Sequence, residues 1–245
     1  MLRREVLLVL ALSLGRSGVY AVVSLIANLT SGVAISSITA GLNGSKAPNR
    51  PTLDLVLQLL GIGFALVPVL LACYLLVAGG ERATKVLGID LSQPWTDIGF
   101  GVLLALAVGL PGLGLVALAR HLGYSANVVA SSLPAVWWRI PVLLLSALQN
   151  ALLEETVVVG YLLHRLDQLG WRPGRALLAS ATLRGSYHLY QGFGGFLGNA
   201  AMGVVFGILF RRWRRVTPMI IAHGLIDTAA FLGYLALHGR VAWLP

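Results

Sequence analysis

The stretch RIPVLLLSALQNALLEETVVVGYLLHR, residues 139–165, decides how this chain is read. It is long and apolar enough to cross a bilayer as one helix, for which about 20 residues suffice. Yet two adjacent carboxylates, Glu154 and Glu155, interrupt it. A charge near the bilayer centre costs roughly 2.5–3.5 kcal/mol on insertion scales unless it meets a partner or a wet cavity. Neighbouring residues on a helix point about 100° apart, so the two carboxylates have different surroundings. One suits a water or a metal; the other suits hydrogen bonds from adjacent helices that hold the first in place.

Further ionisable residues recur in the apolar segments that follow. His188 closes Leu183-Arg184-Gly185-Ser186-Tyr187-His188, with Arg184 one turn before it. An arginine at that depth is expensive against lipid and predicts a buried carboxylate partner. His223 and Asp227 lie four residues apart, share one helical face and converge on one point. Taken alone, that pair equally suits a metal site, an acid–base couple, a proton relay or a helix-to-helix hydrogen bond. Glu154, Glu155, His188, His223 and Asp227 together point to one polar site among the C-terminal helices.

Composition sets the class. The hydrophobic share is 57% and the charged share 11%, with a mean hydropathy of +0.83. A soluble chain of 245 residues has no interior large enough for that apolar surface. The apolar segments lack the two-residue alternation of a membrane barrel. The expected fold is therefore all-α, a polytopic transmembrane helix bundle forming one integral membrane domain over residues 1–245. Apolar runs fall near residues 6–40, 53–79, 97–119, 139–165, 175–191, 195–210 and 217–237, which predicts about seven spans, within a range of about six to eight. Residues 139–237 are the expected core that carries the polar site, and residues 1–130 supply additional N-terminal spans.

The net charge of +9 does not imply nucleic acid, because the basic residues cluster at the ends of apolar runs. Sorted to alternate sides, Arg3, Arg4, Arg82, Lys85, Arg165, Arg172, Arg175 and the Arg211-Arg212-Trp213-Arg214-Arg215 cluster share one side. Lys46, Arg50, Arg120, Arg139 and Arg240 share the other. The richer side is expected in the cytoplasm, with the N-terminus. Cys73, the single cysteine, reads as a small buried hydrophobe. Gly203 and Gly207 at four-residue spacing mark close helix packing, and no strand precedes the Gly192–Gly198 region as a nucleotide loop requires.

The order Glu-Glu, Gly-Tyr, a histidine on the next helix and then His-x-x-x-Asp resembles the Rce1-type CAAX prenyl proteases, also called CPBP intramembrane proteases. The resemblance covers roughly residues 139–237. It implies an intramembrane endopeptidase acting on a membrane-associated protein or peptide, in contact with the lipid bilayer. Carried over residue by residue, Glu154 activates the attacking water, His188 works with it, and Glu155 supports them. His223 and Asp227 polarise or hold the scissile carbonyl. A divalent metal, zinc, is an open alternative, with Glu154, His188, His223 and Asp227 as ligands. Val159 stands where the family's first motif has arginine, and Arg184 where its second has phenylalanine. Arg184 is thus expected to supply the missing cation from a neighbouring helix. Asp227 stands where many members carry asparagine, and an ionised carboxylate donates no hydrogen bond. Two other classes compete: a non-proteolytic scaffold or immunity-type member of the same family, and a proton- or ion-coupled transporter built on the same buried charges.

Overall fold

The structure is a computed structural model that describes residues 1–241. The chain opens with α1 (Leu2–Ala11) and α2 (Leu14–Thr30), which meet at a 55° bend. After β1 (Thr39–Asn43) come α3 (Pro51–Ala65), α4 (Val67–Ala78), the short α5 (Ala83–Leu87) and the long α6 (Pro94–His121). Then follow β2 (Asn127–Ser131), α7 (Arg139–Glu154), a π-helical segment (Glu155–Tyr161) and α8 (Leu162–Gln168). The last helices are α9 (Pro173–Ser186), α10 (Phe193–Trp213) and α11 (Thr217–Leu237). Proline begins α3, α6 and α9, where its missing N–H costs nothing and its fixed φ suits the first turn.

Five helical stretches are long and apolar enough to cross a membrane: 51–78, 94–121, 139–168, 193–213 and 217–237. The bent pair α1 and α2 makes a sixth if it counts as one span. The expected count of about seven is reached only by including residues 175–191. There the structure has α9, a helix of 14 residues, about 21 Å long at 1.5 Å per residue and short of a hydrocarbon core of about 30 Å. The first apolar run also ends earlier than its hydropathy suggests. Helix α2 stops at Thr30, and residues 39–43 pair as a parallel strand with 127–131. This two-stranded sheet, unexpected in an all-helical chain, joins segments 88 residues apart at Thr39 and Asn127.

The stretch 139–168 is the central element. Buried residues make up 61% of its most apolar window, against 11% for α6, whose Leu103, Leu106, Leu110 and Leu113 face outward. Two apolar clusters surround it. One gathers Val142, Leu143 and Ala147 with Trp138, Phe231 and Tyr234. The other gathers Val157, Val158, Val159 and Leu163 with Leu76, Phe206, Phe210 and Met219. Asn150, Glu154 and Glu155 fall between these two groups along the helix. A π-helical turn widens the backbone and leaves carbonyls in need of partners. Ser180 of α9 donates its hydroxyl to the Val158 carbonyl at 2.7 Å, tying α9 to the widened turn.

Ion pairs gather at one end of the bundle. Arg165 meets Glu5 and Glu81, both at 2.9 Å. Arg211 meets Asp167 at 2.8 Å, and Arg215 meets Asp97 at 2.6 Å and Asp90 at 3.0 Å. These are basic residues that the alternate-side sorting places together. Outside the spans, hydrogen bonds from the Ser92 hydroxyl and amide, with Arg215 beside it, hold the Asp90 carboxyl down at about 2.

Helices α9 and α10 approach closely because α10 carries glycine where they touch. A Cβ on Gly203 would lie 3.1 Å from both Ala181 Cα and Arg184 Cδ. Gly203→Val is therefore expected to cost roughly 1–3 kcal/mol by overpacking, read as a lower thermal midpoint of the purified protein. Gly112→Ala is the control, since nothing lies within 4 Å of a Cβ there. Equal midpoints for the two variants would show that α9 and α10 do not pack as described.

Candidate active site

Three helices and the turn after one of them bring the polar residues together. Glu154 is the last residue of α7, and Glu155 opens the π-helical segment. Arg184 sits in the last turn of α9, followed by Tyr187 and His188 as the helix ends. His223 and Asp227 project from α11. Glu155 and Arg184 are 0% exposed, His223 3% and Glu154 7%.

Arg184 is the hub. Its Nη1 lies 2.8 Å from Glu155 Oε1, and its Nη2 lies 3.3 Å from Glu154 Oε2 and 3.1 Å from His223 Nδ1. One guanidinium thus bridges both carboxylates despite their different directions along the helix. The expected buried carboxylate partner of Arg184 is in fact two. His223 Nδ1 also lies 2.7 Å from Glu155 Oε1. An ionised carboxylate only accepts, so Nδ1 carries the hydrogen and donates it to Glu155. Arg184 Nη2 and that nitrogen are then two donors side by side and make no hydrogen bond with each other; Glu155 Oε1, which faces both His223 Nδ1 and Arg184 Nη1, holds them together.

The two oxygens of Glu154 have different surroundings. Oε2 accepts a hydrogen bond from the Tyr187 hydroxyl at 2.8 Å and faces Arg184. Oε1 points toward His188 Nε2 at 3.8 Å, too far for a direct hydrogen bond and suited to one bridging water. His188 Nε2 is buried and has no hydrogen-bond partner among the described residues. The amide nitrogen of Gln191 lies 3.3 Å from His188 Nδ1 and also donates to the Tyr190 hydroxyl at 2.9 Å. Donation to Nδ1 leaves the ring hydrogen on Nε2, directed at Glu154.

His223 and Asp227 share a face as their spacing predicts, but His223 Nε2 and Asp227 Oδ1 are 3.7 Å apart, which is not a hydrogen bond. Asp227 instead accepts from Asn150 Nδ2 at 3.1 Å, and Glu155 orients His223. Sequence reasoning overlooks Asn150, Tyr187 and Gln191. Asn150 precedes Glu154 by one turn, and Tyr187 follows Arg184 by three residues, so helical spacing carries a signal for both. Gln191 lies in an irregular turn, where periodicity is silent.

Glu154, Glu155 and His223 offer metal-ligand atoms within 4.8 Å of one another. The donor types and closeness suit one ion. Arg184, however, already contacts all three groups, and a dication shared by them would meet a fixed positive charge. The ligand atoms left over, Glu154 Oε1, His223 Nε2 and the Asp227 carboxylate, are the ones not in contact with Arg184, and His188 Nε2 joins them only in the other ring tautomer.

Residues 136–229 match the family model for type II CAAX prenyl endopeptidases, Rce1-like. Over this stretch the chain is similar to that family. No curated protein and no solved structure gives a significant match. The matched stretch spans α7 to most of α11 and includes all five expected residues, Arg184, and the newly found Asn150, Tyr187 and Gln191. Helices α1 to α6 lie outside it. The five helical stretches long and apolar enough to cross a membrane make this an integral membrane protein, and the family that residues 136–229 resemble is one of prenyl endopeptidases.

Removing one member of a buried ion group leaves the others uncompensated, at a typical cost of 3–5 kcal/mol. Arg184→Ala is therefore expected to lower the thermal midpoint sharply or abolish folded monomer on size exclusion. Arg184→Met combined with Glu155→Gln is expected to recover most of that loss. If Arg184→Ala alone matches wild type in midpoint and in the carboxylate infrared bands, Arg184 does not hold the charges.

Proposed function

We propose that the chain is an intramembrane endopeptidase that hydrolyses a peptide bond of a membrane-associated substrate with a water activated by Glu154 and His188. The observation that carries this reading is the division of Glu154 into a held oxygen and a free one. Tyr187 and Arg184 hold Oε2, while Oε1 faces a buried, unpartnered His188 nitrogen. A water between them has its proton directed at a carboxylate and its oxygen free to attack.

In this reading the water oxygen bonds to the scissile carbonyl carbon as Glu154 takes one of its protons. The carbonyl π electrons move to oxygen, and donors placed where that charge develops lower the barrier. His188 Nε2–H is one such donor. His223 in its imidazolium form is another, donating through Nδ1 to Glu155 and through Nε2 to the oxyanion. Glu154 then returns the proton to the leaving nitrogen as the carbon–nitrogen bond breaks. Asp227, held by Asn150, places its carboxylate 3.7 Å from His223 Nε2, on the side where the scissile carbonyl would sit. The reading uses no metal, because Arg184 supplies the positive charge at the Glu154, Glu155 and His223 group; zinc would need the outward donors instead. The basic end of the bundle would face the cytoplasm by the positive-inside rule, which places the N-terminus there too.

Expected outcomes are concrete. Glu154→Gln and His188→Ala should each lower the rate by about a hundredfold or more, the scale of general-base loss. Tyr187→Phe should lower it less, because Arg184 still holds Oε2. The assay maps new peptide termini by mass spectrometry in membranes containing wild type or Glu154→Gln at matched levels, followed by purified reconstitution. Identical termini in the two samples would refute proteolysis and favour a scaffold or transporter. Activity lost to a chelator and restored by zinc would refute the metal-free scheme alone.

A further inference from the structure

Arg16 has no place in the scheme above, yet it lies beside it. It sits in the first turn of α2, exposed, with no ion pair or hydrogen bond among the described residues. Its depth follows from α1. Glu5 lies at the ion-paired end of the bundle, bonded to Arg165 and to Tyr161. Arg16 follows Glu5 across the 55° bend, at most about 16 Å farther along at 1.5 Å per residue, which is within the thickness of a hydrocarbon core of about 30 Å. An unpaired guanidinium there is costly against lipid and marks a functional pathway unless something neutralises it.

The side chain lines a cavity of about 480 Å³ that also borders Ser17, Tyr20, Ser24, Tyr187 and Tyr190. Two of these walls belong to the catalytic group. Tyr187 donates to Glu154, and Tyr190 accepts from the Gln191 amide that also contacts His188. The cavity is therefore one side chain away from the water-activating pair. Beside the cavity α2 and the end of α9 approach closely, since a Cβ on Gly18 would lie 2.7 Å from Ser186 Oγ. A planar guanidinium with free donors matches a carboxylate in a bidentate manner. Tyr187 borders both the cavity and Glu154, which puts the cavity within a few residues' reach of a peptide bond placed at Glu154.

We propose, on the basis of the endopeptidase reading, that Arg16 is a specificity-determining residue that binds a carboxylate of the peptide substrate a few residues from the scissile bond. That carboxylate is either the free C-terminus or an Asp or Glu side chain. The groove between α2 and the Tyr187–Tyr190 turn is the subsite that holds it. Arg16 thus selects anionic peptides from the pool of membrane-associated chains.

The test uses the full chain in phosphatidylcholine nanodiscs. Peptides spanning a Glu154-dependent cleavage site are made in three forms: unmodified, with a C-terminal amide, and with acidic side chains replaced by amides. Binding to the Glu154→Gln protein is measured by fluorescence anisotropy, and KM and kcat are measured with the active protein. One of the two modified peptides is expected to bind the Arg16-containing protein about tenfold to a hundredfold more weakly, with KM raised and kcat kept. In Arg16→Gln that difference should vanish, and Arg16→Lys should retain part of it. The modified peptide that loses affinity identifies the carboxylate. Equal discrimination by Arg16→Gln and its parent overturns the proposal. So does a defect of Arg16→Gln that appears only when phosphatidylglycerol is added, which would assign Arg16 to a lipid phosphate. If no Glu154-dependent cleavage exists, the endopeptidase reading falls and takes the subsite with it. Charge-independent binding alongside intact cleavage removes the subsite alone.

Discussion

A single guanidinium, buried among two carboxylates and an imidazole, organises the C-terminal half of this protein. Inside a bilayer an isolated charge is excluded, and a pair is tolerated only when its geometry is good and its partners are satisfied. Arg184 contacts Glu154, Glu155 and His223 within 3.3 Å, so three helices must come together for any of these residues to be buried. The packing that surrounds them follows from that requirement. Gly203 leaves room on α10 for the arginine stem, and Phe206 lays its ring 5.4 Å from the guanidinium carbon, a distance suited to a cation–π contact. The Ser180 hydroxyl secures the π-helical turn that begins at Glu155.

The same interaction divides labour between neighbouring carboxylates. Glu155 is fully buried and faces Arg184 and His223, whereas Glu154 keeps one oxygen toward His188. A carboxylate that must act as a base cannot be held at both oxygens by cations, because its lone pairs would then have no access to a water. A carboxylate that must only position a histidine has no such need. Adjacent glutamates on a helix meet both requirements, since their side chains leave the axis in different directions. The arginine that bridges them has to come from another helix, and here it does so from the last turn of α9.

Much of this site was legible in the sequence because ionisable residues stand out against apolar helices. Glu154, Glu155, His188, His223, Asp227 and Arg184 are all found together, and the need of Arg184 for a carboxylate follows from its cost in lipid. The supporting groups were less visible. Asn150 and Tyr187 are neutral and common at helix ends, so their roles emerge only when the partner helix is placed. The spacing of His223 and Asp227 put them on one face, yet spacing cannot tell that Glu155, from another helix, binds the ring first. The structure has five apolar spans, or six with the bent pair counted as one, at the lower edge of the expected six to eight, for a related reason. Hydropathy registers apolar content, whereas α9 is a short helix that ends in the polar site itself, and its last turn is spent on Arg184 rather than on lipid contact.

The N-terminal helices, which lie outside the matched domain, acquire a role from this arrangement. An active site sealed on every side by apolar helices would admit neither water nor a peptide. Helix α2 bends away from α1 and packs against the end of α9 and the turn that carries His188, leaving a partly polar cavity where the two meet. The opening thus lies on the side of Tyr187 and Tyr190, whose hydroxyls take part in the hydrogen bonds around Glu154 and His188. On the proposed endopeptidase reading, access and activation are coupled through the same side chains. A substrate that pressed on Tyr187 from the cavity would bear directly on the oxygen of Glu154 that must stay held for the other to act.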